Sequence, residues 1–293
     1  MGDYLIRVLP KKFNFRAFGV CLTQAVDEAR RLQNLSPVAT AALGRALAGV
    51  ALLSADLKFG KVFMQIKGDG PLKEILAEAN HEGHLRGLVR NPQVDLPPKN
   101  KKLPVGLAVG QKGFINIIRD YGLKEPYQGS IALVSGEIAE DLAYYLTVSE
   151  QVPSACALGV LVDVDGKVLQ AGGYLIQKLP EATEEEISYL EEKLRNYPPL
   201  TTQLQAGKSI EEILTELLGE IEILEKRALY YKCTCSLERV EETLLALGEK
   251  ELTEVLAEGI PLMVTCNFCQ KAYEVPIERV KELLKYLREK DHA

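Results

Sequence analysis

The sequence has no tryptophan and only three histidines, His81, His84 and His292. His81 and His84 could supply half of a metal site, but no third ligand is near them in the sequence. A polar loop is therefore the simpler interpretation. No nucleophile is placed with a base in a recognisable catalytic pattern. The sequence accordingly predicts a protein that is not an enzyme.

Long apolar runs are also missing. The most apolar stretch, residues 38–57, contains Arg45 and Asp56 and has helical periodicity, so it does not resemble a membrane span. The first residues lack the basic region followed by an apolar region that marks a secretory signal. We therefore expect a cytoplasmic protein with no membrane partner.

Alternating strand and helix patterns occupy residues 1–179 and predict an α+β fold, with a core domain that mixes sheet and helix. Ser36 and Pro37 are typical of a helix cap and a first helical position. Asp165 and Gly166 are typical of a hairpin turn. The predicted helices are 18–35, 36–57, 72–79 and 138–147, and the predicted strands are 61–67, 84–89, 114–119, 130–134 and the hairpin 157–176.

The balance of charge changes after this core. Residues 1–180 contain 21 Lys and Arg against 17 Asp and Glu, whereas residues 181–293 contain 14 against 24. Two capping boxes, Thr183 with Glu186 and Ser209 with Glu212, each predict the start of a helix. Residues 180–231 are therefore interpreted as an acidic, amphipathic helical linker.

The second linker helix is predicted to have a broad apolar stripe opposite its glutamates. A short helix gains most of its stability from the surface that it buries, so we expect the stripe to pack against another part of the protein. The residues of the stripe are Ile210, Ile213, Leu214, Leu217, Leu218, Ile221 and Leu224.

Four of the six cysteines form two close pairs near the end of the chain, Cys233 with Cys235 and Cys266 with Cys269. In a reducing compartment, metal binding or redox chemistry is a better interpretation of such pairs than structural disulfides. Four thiolates complete the tetrahedral coordination of zinc and leave no position for a catalytic water. Residues 232–293 are therefore predicted to be a small zinc domain with one structural or regulatory zinc. The other two cysteines, Cys21 and Cys156, are interpreted as small buried apolar residues.

A domain of this size buries too little apolar surface to be robust alone. Structural zinc supplies about 10–16 kcal/mol in peptide systems, so loss of the metal should unfold the domain. A permanent zinc ribbon is the alternative interpretation. We favour a redox switch, in which oxidation of the cysteines ejects the zinc and unfolds the domain. The reason is that a Cys233–Cys235 disulfide would close a small, strained and therefore reducible ring. The adjacent linker, whose stripe needs a partner, also favours a switch.

Two other functions remain open from the residues alone. One is a constitutive zinc-ribbon module that binds a protein or an RNA, and the other is a dithiol oxidoreductase. Nucleic-acid binding requires a basic surface, but residues 231–293 contain nine Lys and Arg against twelve Asp and Glu. We therefore expect no nucleic-acid partner.

The chain resembles the redox-regulated heat-shock chaperone family, heat-shock protein 33, over essentially its whole length. The resemblance rests on the two cysteine pairs and on residues 65–72 (QIKGDGPL), 127–129 (YQG), 137–141 (EIAED) and 149–151 (SEQ). It implies a stress-response holdase that needs no ATP and carries zinc on Cys233, Cys235, Cys266 and Cys269.

The resemblance also implies how such a protein is regulated. The reduced, zinc-bound form is expected to be an inactive monomer. Oxidation with mild unfolding is expected to form the disulfides Cys233–Cys235 and Cys266–Cys269, release zinc and loosen the linker. The product would be a dimer that holds unfolded client proteins. We further infer that the apolar stripe from Ile210 to Leu224 and its docking surface on the first domain contribute to client binding.

Overall fold

The structure is a computed structural model that describes residues 2–99 and 102–291. The chain forms two compact units, one ending at Lys232 and the other starting at Cys233. Across these described ranges, no helix is both long enough and apolar enough to span a membrane. The α+β fold class predicted from the sequence is confirmed, because strands and helices are mixed throughout.

The first unit contains eleven strands and seven helices among its described residues. In chain order they are β1 Tyr4–Pro10, β2 Phe15–Cys21, α1 Thr23–Gln33, α2 Pro37–Leu53, β3 Lys61–Gly68, β4 Glu74–Asn80, β5 His84–Val89, α3 Val105–Val109, β6 Gly113–Asp120, β7 Tyr127–Ala132, α4 Ala139–Val148, β8 Ser154–Val162, β9 Val168–Lys178, α5 Glu184–Asn196, α6 Leu200–Gln205, α7 Ile210–Leu218, β10 Ile221–Ala228 and β11 Tyr230–Tyr231. The strands form two sheets. The order in the five-stranded sheet is β10-β1-β2-β9-β8, and the order in the six-stranded sheet is β11-β5-β4-β3-β6-β7.

Helix α2 is the centre of the main core. Ser36 caps it by accepting a hydrogen bond from the Ala39 amide, and Pro37 opens it, as the sequence predicts. Its residues are apolar on almost every side, and all but two of them are buried. A helix that is apolar all round belongs inside a core, and α2 packs against strands of both sheets.

The other face of the five-stranded sheet carries a second apolar core, which includes helix α7. Both predicted capping boxes are present, at Thr183 with Glu186 and at Ser209 with Glu212. In α7 the five apolar residues are buried against the sheet, and Ile210 and Leu214 lie over Gly19 of β2. The expectation that this helix packs against another part of the chain is therefore confirmed.

Residues 72–79 are a turn and the strand β4, so the helix predicted there is wrong. Their sequence is rich in Leu, Glu and Ala, which favour helices when nothing else decides. Burial alternates along the strand, with Ile75, Ala77 and Ala79 directed into the core. Pairing with both β3 and β5 therefore overrides the local preference.

Two predicted helix boundaries also need correction. The helix predicted over 18–35 begins only at Thr23, because residues up to Cys21 pair in β2 with β1 and β9. The apolar stripe predicted to reach Leu224 ends at Leu218, because Gly219 stops α7 at a positive φ of 76°. Ile221 and Leu224 lie instead on β10, which pairs with β1.

The second unit is a small domain with its own core. Its elements are α8 Leu237–Leu247, α9 Glu249–Glu258, β12 Leu262–Thr265, β13 Ala272–Val275 and α10 Ile277–Asp291. Strands β12 and β13 form an antiparallel hairpin. Eight buried residues make up the core: Val240, Leu244, Leu252, Tyr273, Val275, Val280, Leu283 and Leu284.

Candidate metal centre

The four cysteines of the second unit are held by two short segments. Cys233 and Cys235 precede α8, which Ser236 caps by accepting a hydrogen bond from the Arg239 amide. Cys266 and Cys269 lie in the tight turn between β12 and β13. In that turn the Cys266 amide donates to the Lys271 carbonyl, and the Gln270 amide donates to the Cys266 carbonyl. The backbone therefore fixes the second pair independently of its side chains.

The four Sγ atoms converge on one point. They all lie within 4.8 Å of one another. The distance is 3.6 Å between the sulfurs of Cys233 and Cys266, and 3.4 Å between those of Cys235 and Cys269. Four sulfurs placed about 2.3 Å from a central zinc would be about 3.8 Å apart. The cluster therefore has the donor set and the size of a four-thiolate zinc site.

The surroundings of the cluster affect its thiols unequally. Burial raises the pKa of Cys233 to about 12. Burial also opposes ionisation of Cys235, but hydrogen bonds from the Tyr273 hydroxyl and from neighbouring thiols lower the pKa of Cys235 to about 7. The Tyr273 oxygen lies 3.1 Å from the Cys235 sulfur. Metal ligation requires thiolates, so metal binding here is expected to displace protons.

Comparison with known proteins identifies the family. A model of the Hsp33 protein family matches residues 3–276. The chain belongs to the Hsp33 family. A 33 kDa chaperonin from a Thermoanaerobacter species is 45% identical over 294 residues, which cover 99% of this chain and 100% of that protein. One from Geobacter sulfurreducens is 45% identical over 284 residues, which cover 96% of this chain and 94% of that protein.

A solved Hsp33 structure has the same overall fold. The crystal structure of the 33 kDa chaperonin (heat shock protein 33 homolog) from Thermotoga maritima matches with a TM-score of 0.88 and 37% sequence identity. The match covers 98% of this chain and 99% of that chain. The resemblance inferred from the sequence is thus confirmed, and membership of the Hsp33 family gives the chain a chaperone role.

The remaining candidate residues belong to the first unit. His81 Nδ1 is 3.2 Å from the Gly60 carbonyl oxygen, and His84 Nδ1 is 3.2 Å from the Glu82 carboxylate. Burial raises the pKa of Cys21, and it raises the pKa of Cys156 to about 12, so neither thiol is activated. Within residues 2–99 and 102–291, the four cysteines are the only cluster of His, Cys, Asp and Glu that meets the geometry of a metal site.

The structure separates the predicted client-binding residues into two groups. Ile210, Ile213, Leu214, Leu217 and Leu218 belong to α7 and are completely or almost completely buried. Ile221 is partly buried on β10, and Leu224 is exposed there. The apolar spacing continues across Gly219 without a change of period, so the local signal for this division is Gly219 itself, a residue type typical of helix ends.

Sequence reasoning missed the role of Tyr273 in this Hsp33 family member. We predict that Tyr273→Phe weakens zinc binding by about 10–100-fold, because a group that hydrogen-bonds to a metal ligand helps to hold it. Competition with a coloured chelator measures the affinity. Tyr286→Phe is the matched control, because Tyr286 is an exposed tyrosine of the same unit. Equal affinities in the two variants would contradict the role given to the Tyr273 hydroxyl.

Proposed function

We propose that this chain is a redox-controlled holdase that needs no ATP and stays inactive while Cys233, Cys235, Cys266 and Cys269 bind one zinc. The observation that carries the proposal is the convergence of the four sulfurs in a unit with a core of only eight buried residues. A core this small depends on the metal for its stability, so oxidation of the cysteine ligands would also unfold the unit. Family membership supplies the chaperone role that this change would control.

The proposed redox step is balanced with hydrogen peroxide as the oxidant. Four thiolates lose four electrons and form two disulfides, while two peroxide molecules take up those electrons with four protons and become four waters. Disulfide sulfur is a poor metal ligand, so the oxidised chain no longer retains zinc. The resemblance to the family supports Cys233–Cys235 and Cys266–Cys269 as the pairs. The sulfurs of the cross pairs Cys233–Cys266 and Cys235–Cys269 lie 3.6 and 3.4 Å apart, so peptide mapping of the oxidised protein distinguishes the two pairings.

We treat residues 180–231 as a linker between a core of residues 1–179 and a switch domain of residues 232–293. The conformational change that follows zinc release is proposed to occur in this linker. Loosening of this segment would uncover the buried stripe of α7 and the sheet face beneath it. Together with Ile221 and Leu224, that surface is the proposed binding site for unfolded clients. We further propose that the reduced form is a cytoplasmic monomer, that the active form is a dimer, and that neither binds nucleic acid.

Oxidation of the intact protein tests this function. Peroxide with gentle heating should release one zinc per chain, followed with a coloured chelator, and should suppress aggregation of a denatured client, followed by light scattering. The control is the same protein kept in a thiol reductant. If the zinc-free oxidised protein suppresses aggregation no better than the control, the switch is refuted.

A further inference from the structure

The six-stranded sheet ends in the edge strand β7, whose six residues include no charged residue and no proline. Strand β7 pairs with β6 on one side only, and no strand within residues 2–99 and 102–291 pairs with its outer side. The amide of Leu133 donates to the Gly113 carbonyl, so Leu133 is a position that hydrogen-bonds to β6. In an antiparallel pair such positions alternate, so residues 127, 129 and 131 of β7 also bond to β6. Alternate residues of β7 therefore direct their N–H and C=O groups away from β6. These are Gln128, Ser130 and Ala132, all of them exposed.

The other edge strands of the first unit carry features that block pairing with a further strand. Strand β10 carries four charged residues, and its pairing with β1 has a register irregularity next to Arg7. Strand β8 has an irregularity next to Leu161 and contacts α4 and α6. Strand β11 has two residues. Charges, bulges, covering helices and short length are the devices by which proteins block edge pairing. Strand β7 is six residues long, has no charge and pairs in regular register.

Apolar side chains accompany this open edge. The Tyr127 hydroxyl reaches the Ser149 carbonyl at 3.4 Å, which places the end of α4 beneath β7. Tyr145 also lies there, against Gly129. Leu142 and Leu146 of α4 are buried, whereas Tyr144 and Val148 lie on the exposed side of the same helix. Tyr127, Tyr144 and Val148 are each about half exposed.

We propose that the outer edge of β7 binds an extended apolar segment of an unfolded client by adding it to the sheet as a further strand. The exposed N–H and C=O groups would pair with a backbone of any sequence, and alternate side chains of the added strand would cover Tyr144 and Val148. Six residues of β7 accommodate a segment of about 20 Å. This proposal rests on the chaperone role, and the site is separate from the surface covered by α7.

Two substitutions block the edge without removing its pairing with β6. Ser130→Pro deletes one outward N–H, which is tolerated at an edge, and its matched control Ser130→Thr keeps that N–H. Ala132→Lys places a charge beside the open edge, as natural edges do, and its matched control Val164→Lys adds the same charge at the fully exposed turn between β8 and β9. Circular dichroism and zinc content establish that each variant is folded.

Binding of a labelled, reduced and carboxymethylated lactalbumin, which cannot refold, is measured by fluorescence anisotropy in the reduced and oxidised states. We expect Ser130→Pro and Ala132→Lys to weaken binding at least tenfold in the state that binds, and each control to stay within twofold of the unchanged protein. Affinities of the blocked variants within twofold of that protein would overturn the edge site.

The same measurements separate this proposal from the proposed switch. Equal binding by the reduced and oxidised protein would refute the redox switch, while the effect of blocking β7 would still decide the edge site. Absence of binding in both states would overturn both. If sedimentation shows that the blocked variants only lose a dimer and keep their affinity for the labelled chain, β7 is a contact between copies and the client site is overturned.

Discussion

Replacing Cys266 with Ser should remove the zinc and unfold residues 233–291, while the first unit stays folded. The backbone N–H and C=O of Cys266 hold the turn between β12 and β13, and serine keeps both groups. The substitution therefore removes a ligand and leaves the turn intact. A four-thiolate zinc contributes about 10–16 kcal/mol in peptide systems, as much as the roughly 5–15 kcal/mol that stabilises most whole domains. Eight buried side chains cannot replace it.

Amide hydrogen exchange measured by mass spectrometry checks this result, because it reports each segment separately. Peptides from α8 to α10 should exchange completely within seconds, whereas peptides from α2 should keep their protection. Cys156→Ser is the matched control, because Cys156 lies in β8 of the first unit and should leave the zinc content at one per chain. Full protection of α10 in Cys266→Ser would show that the small domain folds without its metal.

The cysteine cluster could be predicted from the sequence because its chemistry needs only residue type and spacing. Two pairs of cysteines define a tetrahedral site wherever the chain between them allows the pairs to meet. The contribution of Tyr273 could not be predicted in this way. Its hydroxyl reaches Cys235 only because β13 folds back on β12 and directs this side chain towards the cluster. Such a contact depends on tertiary packing, which leaves no periodic signal.

The fold was predictable where local signals agreed with the tertiary structure. Capping residues placed the starts of α2, α5 and α7 correctly, because a cap depends on the three or four residues around it. The prediction failed at β4, where Leu and Glu residues favour a helix and two neighbouring strands impose a sheet. It failed again at β10, which pairs with β1 across more than 200 residues of chain. Pairing partners so distant in sequence cannot be identified from one sequence alone.

The contact between Gly19 and α7 shows how the linker is held against the sheet. Gly19 pairs with Ile6 and Tyr174 in the middle of the five-stranded sheet. A Cβ atom at this position would lie 2.7 Å from Ile210 Cγ1 and 3.2 Å from Leu214 Cδ1. The absence of a side chain at residue 19 is therefore what allows α7 to approach the sheet so closely. A nine-residue helix has little stability without such a surface.

Gly19→Val should displace α7 from the sheet and give a chaperone that is active without oxidation. Valine favours strands, so the change should preserve β2 while its two methyl groups occupy the position of Ile210. Overpacking of this kind costs about 1–3 kcal/mol, and the strain falls on the contact through which α7 docks on the sheet. The reduced variant should therefore keep one zinc per chain and still suppress aggregation of a denatured client.

Hydrogen exchange of residues 209–218, zinc content and light scattering together test the Gly19→Val prediction. Thr215→Val is the matched control, because Thr215 lies on the exposed side of α7 and its substitution leaves the buried side unchanged. Suppose that α7 exchanges fast while zinc is retained and clients are protected. Release of the linker, rather than disulfide formation, is then the immediate cause of activity. Fast exchange without client protection would mean that the surface under α7 does not bind clients.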